Sequence, residues 1–177
     1  MREFVRFAGE AIWFFLPAFV GNQFPGLFGW VLTKFDRHHW NFPVSVRWLG
    51  RNKTWLAYPA ATVGAVVTIY LQRPWGESEL INYSRPDLWL VGVLFGVGIV
   101  AGDHVKSFFK RRQRIKPGDP WWPYDQLDFV VGGLLFVSLL LGWNVWPTAI
   151  VIVPLTLIAH PLGNRIGYQL GVRKVPH

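Results

Sequence analysis

The chain is predicted to be all-α: a polytopic membrane helix bundle of about five transmembrane helices, with the N-terminus outside and the C-terminus cytoplasmic. Three observations carry that reading. Hydrophobic residues make up 51% of the 177 positions and charged residues 16%, a low charged share beside the quarter or so usual in water-soluble domains. The apolar residues fall in runs broken by charge, at intervals that suit a hydrocarbon core of about 30 Å, which about 17–25 helical residues cross. The net charge of +8 is carried by few residues, so the basic groups are concentrated in the polar connections between runs. The whole of residues 1–177 is read as a single integral-membrane domain. With no cysteine in the chain, disulfides and thiolate zinc sites are excluded.

In order along the chain, spans are expected near Phe7 to Leu32, Leu56 to Leu71, Leu88 to Gly102, Leu127 to Leu141 and Val145 to Leu162. The first begins behind Arg2 and Arg6, as a signal peptide would, but Glu10 interrupts its apolar run, Pro17 and Asn22 lie within it and four more spans follow, which argues against cleavage. The third and fourth are short for a full crossing, so their helices are expected to continue past the apolar part or to end in a protein-lined cavity. Trp30, Trp48, Trp55, Trp75, Trp89, Trp121, Trp122, Trp143 and Trp146 fall near predicted ends, as an interfacial aromatic belt requires. No internal repeat is evident.

Orientation follows from the basic residues. Lys34, Arg37, Arg47, Arg51 and Lys53, then Lys106, Lys110, Arg111, Arg112, Arg114 and Lys116, then Arg165, Arg173 and Lys174 fall in one set of connections, leaving Arg2, Arg6, Arg73 and Arg85 on the other side. The rich side is expected to be cytoplasmic. Any single arginine there needs no role beyond setting topology and touching anionic head groups.

The densest group closes the third span, in Gly102-Asp103-His104-Val105-Lys106-Ser107-Phe108-Phe109-Lys110-Arg111-Arg112. Helical spacing places Asp103, Lys106 and Lys110 along one stripe. Two lysines four apart repel unless an anion lies between them, and a substrate phosphate is the candidate. Pro117, Gly118, Pro120 and Pro123 force a non-helical return, after which Asp125 and Asp128 share a face at the start of the fourth span. An N-cap with a carboxylate at N3 would explain that pair. Asp128, however, runs directly into Phe129-Val130-Val131, where an ionised carboxylate is costly unless balanced, and Asp103 follows an equally apolar stretch. Three carboxylates at the ends of successive helices can converge on divalent cations, and hard oxygen ligands beside phosphate point to Mg2+ held by Asp103, Asp125 and Asp128.

Ahead of the second span, Gly50-Arg51-Asn52-Lys53-Thr54-Trp55 sets a lysine between glycine and threonine at a helix start, which suits phosphate binding without being a P-loop. Pro17 and Asn22 are read either as a polar kink lining the same cavity or as a packing kink. His38, His39 and His104 lack metalloprotease spacing and are read as structural. No nucleophile triad is present, and none is needed for a phosphate monoester, which is largely dianionic at neutral pH and attacks another phosphate if positioned and charge-neutralised.

The segment from Gly102 to Gly133, with Gly-Asp-His-Val-Lys-Ser-Phe-Phe-Lys-Arg-Arg, Ile115-Lys116-Pro117-Gly118-Asp119-Pro120-Trp121 and Pro123-Tyr124-Asp125-Gln126-Leu127-Asp128-Phe129, resembles the CDP-archaeol synthase family, short relatives of the phosphatidate cytidylyltransferases. Fainter similarity extends over Leu16-Pro17-Ala18 with Asn22, the Gly50 to Trp55 segment and the tail from His160 to Pro176. The resemblance implies magnesium-dependent transfer of a cytidylyl group from CTP to an isoprenoid ether-lipid phosphate, with release of pyrophosphate. It also implies that Asp103, Asp125 and Asp128 match metal-binding acids, Lys110, Arg111 and Lys116 phosphate-handling bases, and Asn52, Lys53 and Thr54 nucleotide contacts. The chain departs from the family where Lys53-Thr54-Trp55 runs into Leu56-Ala57 rather than Arg-Gly, and where Phe42-Pro43-Val44-Ser45 replaces a stretch with an acid.

The expectation is therefore a multi-pass cell-membrane cytidylyltransferase whose site faces the cytoplasm. Its catalytic set is Asp103, Lys106, Lys110, Arg111, Lys116, Asp125 and Asp128; its partners are CTP, an isoprenoid or acyl lipid phosphate and membrane lipid. No nucleic acid is expected, and a homodimer is left open. The rival class is a small anion transporter or channel with an intramembrane phosphate site, since buried charges also mark permeation paths; the absent repeat counts against it.

Overall fold

The computed structural model describes residues 1–35, 41–75, 78–116 and 119–171, with the backbone alone at residues 160 and 164. Arg37, His38, His39, Pro117, Gly118, Arg173 and Lys174, to which the sequence assigns topology, loop or structural roles, lie outside the described residues. Five α-helices account for the described fold: α1 (Arg2–Lys34), α2 (Ala57–Gln72), α3 (Leu88–Arg112), α4 (Tyr124–Leu141) and α5 (Ala149–Gln169). Short 3₁₀ turns at Arg73–Trp75 and Trp143–Thr148 follow α2 and precede α5. Among the described residues there is no strand, only an isolated antiparallel bridge between Pro43 and Thr54.

A helix lies at each expected span, and all but α2 outrun their apolar stretches. The largest extension is in α3, which continues from Gly102 to Arg112 and carries Asp103, Lys106 and Lys110 on regular helix. Helices α1, α3, α4 and the Trp143–Gln169 stretch are long and apolar enough to cross a bilayer; α2, at 16 residues, is about 24 Å long and falls short of the usual span. Val63, Val67, Leu71, Val131, Leu135, Leu139, Ile150 and Ile158 are exposed on the outer faces, the pattern of a surface that meets hydrocarbon rather than water. Trp48, Trp55, Trp75, Trp89, Trp122 and Trp143 are exposed near helix ends.

Glycine contacts define how the first four helices pack. Gly92 and Gly96 of α3 face Val66 and Thr62 of α2 so closely that a β-carbon would collide with backbone. Gly98 and Gly102 meet the carbonyl oxygens of Gly132 and Asp128 of α4 in the same way. In each pair the numbers rise on one helix as they fall on the other, so the neighbours run antiparallel. Small residues at such contacts are how membrane helices approach without a hydrophobic drive between them. The core beside these contacts is aromatic: Phe15 lies 5.6 Å from Phe95 and 6.2 Å from Phe129, and Phe14 lies 5.4 Å from Phe95 between ring centroids. α5 packs on α4 and α1, adding Ile152 to the same core.

This meander gathers the C-terminal half of α1, the start of α2, the last turns of α3 and the start of α4 at one end of the bundle. At the opposite end Arg6 pairs with Glu10 and Glu79, and Arg85 forks onto Asp87 at 2.6 and 2.7 Å. The Arg85 guanidinium holds the Asp87 carboxyl below the usual carboxylate range.

Candidate active site

Lys106 sits at the centre of the charged end. Its ammonium lies 3.0 Å from Asp103 Oδ1, 3.0 Å from Asp125 Oδ1 and 2.8 Å from Asp128 Oδ2. The helical repeat puts Asp103 one turn before Lys106, and the Gly102 contact brings the first turn of α4 within reach of the same nitrogen. Lys110, one turn further along α3, donates to both oxygens of Asp125 at 3.0 and 2.8 Å. The anion between the two lysines is thus the chain's own Asp125, where the sequence alone suggested a substrate phosphate. Asp125 also accepts from the Trp121 backbone N–H, which ties the proline-rich return to the first turn of α4.

Lys53 comes from the other side. Gly50, with φ of +91°, turns the loop back in a conformation that favours glycine. The Val44 N–H to Lys53 carbonyl bond of 2.8 Å and the Trp55 N–H to Phe42 carbonyl bond of 3.2 Å hold the returning segment. Lys53 is thereby delivered to Asp103, whose two oxygens it contacts at 2.7 and 2.6 Å. Lys53 therefore belongs to the loop ahead of α2 rather than to the helix start. Three lysines and three aspartates make a neutral group, which is how charges survive at this depth: an unpaired buried ion is far costlier than a paired one.

The cluster forms one wall of a polar cavity of about 440 Å³, also lined by Asn22, Asn52, Lys53, Thr54, His104 and Gln126. Asn22 and Asn52 both line this cavity. Pro17 does not: it is buried within α1, and Pro25 is the proline at the cavity wall. Arg111 and Lys116 also stand apart from the cavity lining. The Arg111 guanidinium reaches the Lys116 carbonyl at 3.4 Å, and the Lys116 side chain is exposed. Arg111 follows Lys110 directly and so points off the stripe that Asp103, Lys106 and Lys110 share, and Lys116 lies in the return beyond the end of α3.

Sequence reasoning passed over two residues. His104, taken as structural, is 7% exposed and lines the cavity; its Nδ1 lies 3.1 Å from the Tyr58 hydroxyl. No local spacing signals a pair that is 46 residues apart in the chain.

A second hollow, a groove of about 520 Å³, opens between α3 and α4. Its walls are mostly apolar, among them Val105, Phe109, Val131, Leu135 and Phe136, and it shares Lys106 and Asp128 with the polar cavity.

The donor set suits a hard divalent cation: three carboxylates already share one cation, the Lys106 ammonium. As they stand they are spaced for nitrogen at 2.8–3.0 Å, wider than the roughly 2.1 Å of magnesium–oxygen contacts. Among the described residues no group of three acids or histidines is drawn together tightly enough to hold a metal.

Fold and site together define a helical, multi-pass membrane protein with a charge-paired polar cavity inside one end of the bundle and an apolar groove beside it. The chain matches the family described as CarS-like CDP-archaeol synthase over residues 4–177. It is 37% identical to the CDP-archaeol synthase of Methanospirillum hungatei over 91% of this chain and 99% of that protein. It is 35% identical to that of Methanopyrus kandleri over 95% and 92%, and 32% identical to that of Methanocaldococcus jannaschii over 97% and 98%. The chain belongs to the CDP-archaeol synthase family. No solved structure matches it.

Proposed function

We propose that this protein transfers a cytidylyl group from CTP to an isoprenoid diether glycerol phosphate at the cytoplasmic face of the cell membrane, forming a CDP-activated lipid and pyrophosphate. The observation that carries the reading is that the polar cavity and the apolar groove share Lys106 and Asp128. A nucleotide triphosphate suits the cavity, with Asn52, Lys53, Thr54 and Asn22 on its wall; lipid chains suit the groove, which faces hydrocarbon. The two reactants then meet at the cluster.

The lipid phosphate, largely dianionic at neutral pH, supplies the attacking oxygen. A bond forms from it to the α-phosphorus of CTP as the bond from that phosphorus to the bridging oxygen of the β-phosphate breaks, and pyrophosphate leaves with the electron pair. Lys53, Lys106 and Lys110 offset the charge of reactants and leaving group, and the helix framework holds them in line. Magnesium, held by Asp103 and Asp128 with Asp125, would screen the phosphate charge and polarise the α-phosphate. The excess of basic residues in the connections at this end supports a cytoplasmic orientation for it, the side on which CTP is found.

The test is to incubate purified protein with magnesium, labelled CTP and a panel of ether and acyl lipid phosphates, scoring CDP-lipid and pyrophosphate together. Formation of both with the diether phosphate supports the reading, and the panel ranks ether against acyl chains. Asp128→Asn should insert in the membrane and lose turnover by roughly 10²–10³-fold. Wild-type turnover in that variant would overturn the site, while phosphate uptake into vesicles without turnover on any lipid would favour a transporter.

A further inference from the structure

Lys106 is unlike the two lysines beside it. Lys53 and Lys110 each hold one carboxylate through both of its oxygens. Lys106 touches three different carboxylates with one nitrogen, so each of the three donors of an ammonium has its own acceptor. Its side chain is 12% exposed, and that of Asp128 is 6% exposed with Lys106 as its ion partner. The ammonium therefore stands where the oxygens of Asp103, Asp125 and Asp128 are directed, the same point that a divalent cation shared by these acids would claim. Both cannot remain there. The six charged groups are already neutral together, and a dication added within about 3 Å of an ammonium meets strong like-charge repulsion in a site of low effective dielectric.

We propose that the Lys106 ammonium is an exchangeable stand-in for the divalent cation. It holds the three carboxylates together in the metal-free protein, leaves them when the metal binds, and turns its freed charge to phosphate oxygens at the junction of cavity and groove. The flexible four-carbon stem of lysine permits the swing, and Lys106 lines both hollows. Exchange keeps the buried acids paired at every stage and releases a phosphate-binding group only once metal is loaded. The inference rests on the metal reading given under Proposed function.

The test uses the full-length protein in detergent without nucleotide. Mn2+ binding is followed by the paramagnetic resonance signal of the free ion in wild type and in Lys106→Met, which keeps an apolar stem and removes the competitor. The variant should bind Mn2+ about tenfold more tightly. In parallel, wild-type protein is acetylated with and without Mg2+ and its lysines mapped by mass spectrometry. Lys106 should be protected in the metal-free protein and become labelled when Mg2+ is present. Unchanged or weaker Mn2+ binding in the variant, or Lys106 labelling indifferent to Mg2+, overturns the exchange. If Lys106→Met fails to fold, the wild-type labelling decides alone. If wild type binds Mn2+ while Lys106 stays protected, the exchange fails and the metal reading stands; if neither protein binds Mn2+, both fail.

Discussion

Gly102 of α3 lies against the backbone carbonyl of Asp128 in α4, so close that a β-carbon at residue 102 would overlap that oxygen. One residue on, Asp103 shares the Lys106 ammonium with Asp128. The glycine contact and the charge cluster are two consequences of one helix approach: without the first, the side chains of the second do not reach a common point.

Gly102→Ala should therefore impair the site without touching a charged residue. Forcing the helices apart is expected to cost about 1–3 kcal/mol of stability and to lower cytidylyl transfer at least tenfold, read by thermal unfolding and turnover on the same preparation. Gly163→Ala, at a helix position with no neighbour within 4 Å, is the control and should leave both unchanged. Equal behaviour of the two variants would show that the α3–α4 approach does not set the site.

Lys53→Met removes two hydrogen bonds to Asp103 while Lys106 stays to balance it. Because this pair is only partly buried, the stability loss should be modest, about 1 kcal/mol. The larger effect should fall on CTP, with KM raised about tenfold and kcat changed less. A KM unchanged for CTP would place the nucleotide elsewhere.

The groove between α3 and α4 gives the opposite signature. Leu135 is 43% exposed and lines it away from the cluster. Leu135→Trp should fill part of the groove, raising KM for the lipid phosphate by about tenfold and leaving KM for CTP as it was. An effect on CTP alone would dissociate the groove from the lipid.

Orientation is open to direct labelling because the chain has no cysteine. Ser84→Cys and Arg114→Cys place one thiol at each end of the bundle. A membrane-impermeant maleimide applied to right-side-out vesicles should label position 84 at once and position 114 only after permeabilisation. The reverse order would put the charged end outside.

Removal of divalent ions supplies a further check: chelation should abolish turnover, and added Mg2+ should restore it, as hard carboxylate donors require. Turnover that survives chelation would leave the lysines alone to neutralise the phosphates.

Much of this was legible in the linear order of residues. The helices lie where the apolar runs lie; Asp103 and Asp128 stand out as charges beside apolar neighbours, Lys106 by its place on the Asp103 stripe and Asp125 by sharing a helix face with Asp128. Asn22, Asn52 and Thr54 also reach the cavity. Pro17 left two readings open, and its burial within α1 favours the packing kink: a proline in a helix marks a missing hydrogen bond but not the direction in which the helix faces. Arg111 and Lys116 lie off the cavity lining, since a basic run names its members without saying which of them turn inward.

By itself the sequence determined the number of helices and which ends carry charge, since the cost of placing an ion in hydrocarbon is paid residue by residue along the chain. Only the tertiary structure decided that Asp125 is the anion between Lys106 and Lys110, that Lys53 crosses to Asp103 from 50 residues away, and that His104 joins the cavity wall with Tyr58 against its ring nitrogen. Those pairings depend on how closely α3 meets α2 and α4, a distance set by glycine contacts between helices that no spacing within one helix records.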